Sequence, residues 1–575
     1  MKRHILIISI ILLAMQAYAQ HDEQVTVEGK YRPKVNKVNK LQLTPETPQP
    51  SYDFPSTEVS PKEANQKFAL DLEKIAPTAF AAKDDKLVTP TKNFLMAGIG
   101  TRLSPLFLYK HNSMLTKTLG LGMGIKHNSS WLNMKDYAPS SYMNNAFDVG
   151  LSYEDMGQYR LETGAFFNND LYHYYGLNVV DIPLNETQIE AVCPRQVYNT
   201  IGAFVQLSAK GYPLGVPVGP GSIKYHYTYD RFGCGDGLVE LDYSYVYTPS
   251  GWFKKGESPK CFKVDVDFDF NHYKCNDSLI NRGFGRLNPS FEMSGDFYRI
   301  HLGASVDGYI AKNDWKVAVR PDVSGSLFVL NKKLEFYAGL NGGLSMLTFG
   351  DFIKENPFVW QLLDFRVKNV KLGFEGGVRT NIMEFVDLHL GVRYSNVENL
   401  PYYMLVPEAL ADGSTIANKY VIGYYENAQV VNVLADVRVK LRNSLTADLG
   451  FAYNHYDLNL AIEDAHAWYR PATEGKLKLT YDLNDELSFH SSFLYQGGRY
   501  AMAPKGEFNP QLPGWYLEEK KLKDVLDLSL GADYKVNDQI TAFVLIDNVL
   551  CQKYQLYYNY PVTGIQFFAG VKLRF

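Results

Sequence analysis

From residue 93 to the C-terminus the sequence alternates apolar and polar residues in short runs, and this rhythm constrains the fold more than any other feature. In 526–534, Leu526, Leu528, Leu530, Ala532 and Tyr534 share one face; Asp527, Ser529, Gly531 and Asp533 share the other. In 262–270, Val264, Val266 and Phe268 oppose Asp265, Asp267 and Asp269. The pattern recurs over 386–394, 433–441, 445–453, 477–483 and 565–575. A period of two places successive side chains on opposite faces of a strand, so these segments build a sheet with one apolar and one polar face.

Such a sheet either packs its apolar face on a second sheet, as in a soluble sandwich, or turns it to lipid around a polar lumen. Connection lengths favour the second. Short turns are expected at 154–157, 294–296, 331–333, 382–384, 442–443, 484–486 and 537–538. Long loops fall between them, near 129–142, 174–196, 346–368, 396–426, 455–472, 498–524 and 549–564. An outer-membrane barrel sorts short turns to one side and long loops to the other. About 22 strands are expected, starting near 93, 104, 116, 144, 158, 197, 222, 237, 262, 286, 297, 315, 334, 369, 384, 427, 444, 473, 486, 525, 538 and 565. The stretch 93–250 is less regular, which leaves 18–20 strands as the lower count. The expectation is an all-β, transmembrane antiparallel β-barrel with a short extended N-terminal periplasmic segment. In the last strand Phe567, Val571, Leu573 and Phe575 face outward, and the chain ends on Phe575, as a barrel-assembly strand does.

The N-terminus agrees with export. Lys2 and Arg3 precede an apolar stretch from Ile5 to Met15, and Ala17-Tyr18-Ala19 offers a small-x-small cleavage site, so 1–19 reads as a signal peptide. Residues 20–92 hold eight prolines, from Pro33 to Pro90, and read as a periplasmic linker; 93–575 is the barrel. Within the linker only 62–75 has an amphipathic helical pattern, on Ala64, Phe68, Leu70, Leu72 and Ile75. Beyond the first twenty residues no apolar run reaches the ~18 residues of a membrane helix. The near-balanced charge, −4 at pH 7, argues against nucleic acid as a partner. The five cysteines show no C-x-x-C spacing, so they read as incidental; Cys261 and Cys275, flanking one predicted strand, are the pair that could bridge.

The C-terminal residues add a resemblance. Ile546-Asp547-Asn548-Val549-Leu550 through Tyr554, then Tyr557-Tyr558-Asn559-Tyr560-Pro561 and Gly564, then the aromatic strand ending at Phe575, resemble the end of TonB-dependent receptors. That resemblance implies a 22-stranded barrel. Val25, Thr26 and Val27, within 23–29, resemble a TonB box, the extended segment an energy transducer captures by strand addition. The family's plug domain, by contrast, has no room in the roughly sixty residues between that segment and the first strand. The lumen must then be closed by the linker, by loops or by another protein.

The polar face places charges in the lumen: Asp265, Asp267, Asp269, Asp387, Arg393, Asp436 and Arg438 among them. Both signs are interspersed, so the reading is pairing across strands; a selective polar pore is the alternative. His455, Asp464 and His466 share one long loop and form the single metal candidate, though loop histidines beside carboxylates are more often simply solvated; no metal, cofactor or catalytic set is expected. Two functions follow. The first is a subunit or scaffold of an outer-membrane complex in a Gram-negative envelope, contacting lipids and other barrels or lipoproteins through Tyr-rich loops such as 402–404 and 557–560. The second is an outer-membrane transporter or channel for a small solute, coupled to a TonB-type transducer.

Overall fold

The computed structural model describes residues 91–575, except 158, 180–184, 210–219, 249–259, 313, 362–363, 384, 410–414, 442–443, 460–465 and 505–516. The signal-like residues 1–19, the box-like Val25, Thr26 and Val27, and the amphipathic stretch 62–75 lie outside the described residues.

The wall begins with β1 (Asn93–Gly100), β2 (Ser104–Met114), β3 (Leu119–Ser130), β4 (Tyr142–Met156), β5 (Tyr159–His173) and β6 (Arg195–Ala209). Next come β7 (Gly221–Asp230), β8 (Cys234–Tyr247), β9 (Lys260–Cys275), β10 (Ser278–Ser294), β11 (Tyr298–Ala311) and β12 (Asp314–Val329). Then follow β13 (Leu334–Ser345), β14 (Lys368–Met383), β15 (Val386–Ala409), β16 (Thr415–Leu441), β17 (Leu445–Leu458), β18 (Thr473–Asp482) and β19 (Leu487–Gly497). A loop hairpin of β20 (Tyr500–Pro504) and β21 (Leu517–Lys521) precedes β22 (Val525–Lys535) and β23 (Ile540–Asp547). A second, of β24 (Gln555–Tyr557) and β25 (Tyr560–Pro561), precedes β26 (Gln566–Arg574).

Leaving out the two loop hairpins, 22 strands form one sheet, each antiparallel to its neighbours, and β26 returns to pair with β1. The register runs from Phe94↔Arg574 to Gly100↔Phe568. Asn93 and Phe575 exchange both backbone hydrogen bonds, at 2.8 and 3.1 Å. The sheet therefore has no edge, the condition for strands to cross a bilayer. The apolar face points out: Phe567, Val571 and Phe575 are 48%, 40% and 55% exposed there. Phe262, Phe268, Val317, Leu390 and Val544 continue the outer band around the wall.

The start of β1 and the end of β26 lie at one end of the barrel, the terminal end; the opposite end is the distal end. Most strand starts fall within three residues of the sequence reading. Two do not. The strand expected near 286 begins at Ser278, after a tight turn at Asn276 with φ 52°. The strand expected near 427 begins at Thr415, because β15 and β16 stay paired beyond the neighbouring strands, so the long loop expected at 396–426 is mostly strand. Loop sorting is also less regular than expected, since the distal connections 101–103, 231–233 and 276–277 are short turns. The cysteine reading is corrected too. Cys275 bridges Cys234, its register partner on β8. Cys261, one strand length away on β9, is a buried free thiol, as is Cys193, while Cys551 is exposed.

Glycines let strands approach at the β1–β26 closure. A Cβ on Gly98 would lie 2.9 Å from the Ala569 carbonyl oxygen, and one on Gly570 would overlap the Ala97 carbonyl oxygen. The Phe543 ring covers both glycines from inside. Gly570→Val is therefore expected to cost at least the ~1–3 kcal/mol of an overpacked site. It should abolish the heat-modifiable folded band on gels, whereas Gly308→Ala, where a Cβ meets nothing within 4 Å, should leave that band intact.

Candidate functional site

Three wall strands anchor a plate over the distal mouth. Asp236 on β8 is fully buried. Its Oδ1 accepts from Asn271 Nδ2 at 2.6 Å and its Oδ2 from the Gly350 amide at 2.9 Å. Asn271 Oδ1 accepts from Arg282 Nε at 3.1 Å, and Arg282 Nη1 donates to the Leu347 carbonyl at 2.8 Å. Arg282 also lies over the Phe365 ring, 3.9 Å from its centroid. A buried charge is tolerated only when its donors and acceptors are filled, and here filling them fixes the loop after β13. That loop carries a short helix, Phe349–Glu355, N-capped by Thr348.

The second anchor is the paired extension of β15 and β16. At Asn399 the backbone turns left-handed (φ 57°), which Asn tolerates. The register there passes from Glu398↔Asn427 to Leu400↔Tyr425. Beyond it Tyr403, Tyr420, Tyr424 and Tyr425 are buried. Tyr420 exchanges backbone hydrogen bonds with Phe358 and Trp360, at 3.0 and 2.8 Å.

The last loop, between β23 and β26, locks onto both. Tyr557 hydroxyl donates to the Glu355 carbonyl at 2.7 Å, and Tyr420 hydroxyl to the Tyr558 carbonyl at 2.8 Å. Tyr560 donates to the Asn418 carbonyl, and its ring stacks on Phe358 with centroids 3.7 Å apart. Asn418 Nδ2 donates to the Tyr174 and Val192 carbonyls at 3.0 and 2.7 Å, bringing in the loop after β5. Arg499, buried, donates from Nη1 to the Gln555 carbonyl at 2.9 Å. The tyrosines join Phe349, Phe352, Phe358, Trp468 and Leu556 in one apolar core, stitched by these hydrogen bonds into a lid made of the barrel's own loops.

Beneath the lid lies a cavity of about 640 Å³. Phe358, Tyr557 and Tyr560 roof it; Lys110, Lys126, Asp148, Asp170, Asp527 and Asp547 are on its walls. Asn144 Nδ2 donates to Asp170 Oδ1 and to Tyr172 hydroxyl, both at 2.7 Å, and Tyr554 hydroxyl donates to Asp527 Oδ2 at 2.6 Å. A mixed-charge, hydroxyl- and amide-lined space of this size suits a polar small molecule.

The sequence-expected charges sit elsewhere on the wall. Lys263 Nζ reaches Asp265 Oδ2 at 2.9 Å, and Arg286 reaches Asp267 at 4.0 Å. Asp269 stands opposite Glu240, and Asp267 opposite Asp242. Like charges face each other there, and Lys224, 2.6 Å from Glu240, offsets them. Arg393 pairs with Glu375 at 3.2 Å, Arg438 with Asp448 at 2.5 Å and His389 with Asp436 at 3.4 Å. Asp387 accepts from Asn381. The wall thus binds these charges to neighbours rather than gathering them at one point. Of the loop metal candidate, Asp464 lies outside the described residues. His466 pairs with Glu519 at 3.1 Å and stacks on Tyr500, while His455 stands on β17 opposite Val431. The two histidines are not brought together. The Asp236–Asn271–Arg282 network escaped sequence reading because no periodic cue marks it; the lid tyrosines left a cue, their clustering at 402–403, 424–425 and 557–560.

Burial pushes the phenols of Tyr469, Tyr557 and Tyr560 above the ordinary tyrosine value of 10.0. A pKa raised on folding means the lid's stability is present in full below that ordinary value and falls as pH rises beyond it. A spectrophotometric titration at 295 nm should show the lid set ionising only above that ordinary value, together with new protease cleavage in 548–565.

No family model matches the sequence, and no curated protein matches it. Solved structures do. The chain is similar to the ferric-catecholate import receptor Fiu from K12 E. coli: TM-score 0.61, 9% identity, covering 84% of this chain and 82% of that one. It is similar to the pyoverdine outer membrane receptor FpvA from Pseudomonas aeruginosa PAO1, with TM-score 0.62, 13% identity, and 84% and 79% covered. The copper transporter OprC gives TM-score 0.57 and 12% identity, with 84% and 81% covered. At such identities the likeness is one of fold, the closed antiparallel barrel.

Proposed function

We propose that this protein is an outer-membrane transporter that admits a small polar solute to its lumen when the lid opens. The observation that carries the reading is the cavity of about 640 Å³ held between a polar barrel wall and a lid of loops. A barrel that served only as a scaffold would need neither. The barrel's likeness to an import receptor, a siderophore receptor and a copper transporter supports the same class. The scaffold reading loses the support of its Tyr-rich loops, because Tyr403, Tyr557 and Tyr560 are spent inside the lid and are not available to a partner.

In this reading the distal end faces outward, residues 1–19 direct export, and 20–92 lie on the periplasmic side. Val25, Thr26 and Val27 would be the strand an energy transducer captures, so that pulling on the N-terminus is coupled to events in the lumen. The wall's cross-paired charges hold the lumen polar without a fixed net field, so the solute is selected by lid and cavity.

Planar-bilayer conductance tests the proposal. The wild-type barrel should be closed. The double variant Tyr557→Ala/Tyr560→Ala loses about 3–5 kcal/mol of lid packing per residue and should open stable channels, with heat-modifiability unchanged. Equal silence in wild type and a correctly folded variant would overturn the reading.

A further inference from the structure

One strand of the cavity wall leaves its polar groups open where other strands pair theirs. On β3 the inward side chains Lys126, Asn128 and Ser130 follow one another at every second position, and all three line the cavity. None has a hydrogen-bond or ion-pair partner among the described residues. Yet Asn128 is 8% exposed and Ser130 only 2%, and buried polar groups are nearly always satisfied. Arg102, also in the lining, stands at the distal end of this row. The Leu132 amide, just past Ser130, donates to the Arg102 carbonyl at 3.3 Å. Arg102 Nη2 donates back to the Leu132 carbonyl, but its buried Nε has no acceptor. At the other end of the row Lys110 on β2 lies opposite Gly124, two residues before Lys126.

The carboxylates of the lining are mostly committed. Asp170 accepts from Asn144, Asp527 from Tyr554 and Asp547 from Ser529. Asp148 alone among them has no donor; it is exposed, with its carboxylate over Gly124. The capacity left open is therefore mostly that of donors: an ammonium, an amide, a hydroxyl and a guanidinium N–H.

We propose that the β3 face of the cavity binds an elongated organic anion with an acid group at each end, the class of the linear dicarboxylates. Four residues of strand separate Lys126 from Ser130, about 14 Å at ~3.4 Å each. A cation stands at either end of that length, Arg102 at the distal end and Lys126 with Lys110 at the other, and the neutral Asn128 amide lies between. One acid group meets Arg102 Nε and the Ser130 hydroxyl; the other meets the Lys126 ammonium. Hydrogen bonds between ionised partners are the strong ones, and here they also fill donors that the folded chain leaves empty. Asp148 offsets part of the positive charge of Lys110 and Lys126, so that end suits one acid group rather than a cluster. The site rests on the transporter reading and names its cargo.

Suberate is the probe. Full-length protein in detergent is brought to equilibrium with it, as wild type and as the lid variant Tyr557→Ala/Tyr560→Ala, and binding is read by calorimetry. In both, suberate is expected to bind about tenfold or more tighter than the diol, the diamine or the amino acid of the same chain length, each of which loses a charged hydrogen bond. Lys126→Met should weaken suberate about tenfold and Ser130→Ala about threefold, with heat-modifiability unchanged. Absence of suberate binding in both proteins would overturn the proposal. So would equal binding of the diol, the diamine or the amino acid, or suberate binding untouched in a folded Lys126→Met variant. Conductance of the lid variant is a separate readout. Channels that open without binding suberate would remove the site and leave the transporter reading standing; a folded, silent lid variant that binds suberate would do the reverse.

Discussion

Everything in this molecule depends on the backbone hydrogen bonds that join β26 to β1. In lipid an unpaired N–H or C=O costs several kcal/mol, so a sheet whose first and last strands did not meet would not cross a membrane at all. The requirement reaches into the sequence as the glycines of the closure, Gly98 and Gly570. Phe543 over Gly98 and Gly570 is the interior's own filling of the space that close strand approach leaves bare.

The lid rests on a different kind of physics. The wall is held by backbone pairing, the lid by burial of tyrosines, of which Tyr420, Tyr557 and Tyr560 donate their hydroxyls to backbone carbonyls. Tyrosine suits this because it contributes a large apolar ring and one directed donor with little rotamer entropy lost. Two anchors tie it down: the Asp236–Asn271–Arg282 network on β8, β9 and β10, beside the Cys234–Cys275 bridge, and the bent β15–β16 arm. Of the three ways the sequence left for closing the lumen, the loops account for the distal mouth.

Much of the wall was legible in the sequence because the signal is local. Alternation along 526–534 or 565–575 reports which residues face lipid regardless of what the neighbouring strand does. The lid was not legible for the opposite reason. In 400–406 and 417–425 one face of the arm is buried and the other half-buried, both faces are largely apolar in sequence, adjacent tyrosines such as Tyr424 and Tyr425 are both inside, and a period of two disappears, so paired strand reads as loop. The cysteine bridge failed similarly: Cys275 has a partner only because β8 and β9 settle in a register that sets Cys234 opposite it, and register between strands is a property of two segments at once. The lumen charges show both behaviours. That Asp267 shares a face with Asp265 follows from one strand; that Arg286 answers it follows from the next.

The lid's contacts join residues very far apart along the chain. Tyr175 donates to the Pro561 carbonyl across 386 residues, and Tyr174 to Val359 across 185. Contacts of such separation carry a high loop-closure cost until other pairings have already drawn their ends together. The barrel walls supply those pairings, so the order of assembly is fixed: strands first, last strand to first, and only then the roof. Every newly made copy therefore passes through a stage in which its lumen is uncovered, and that stage ends only when six loops have found one another.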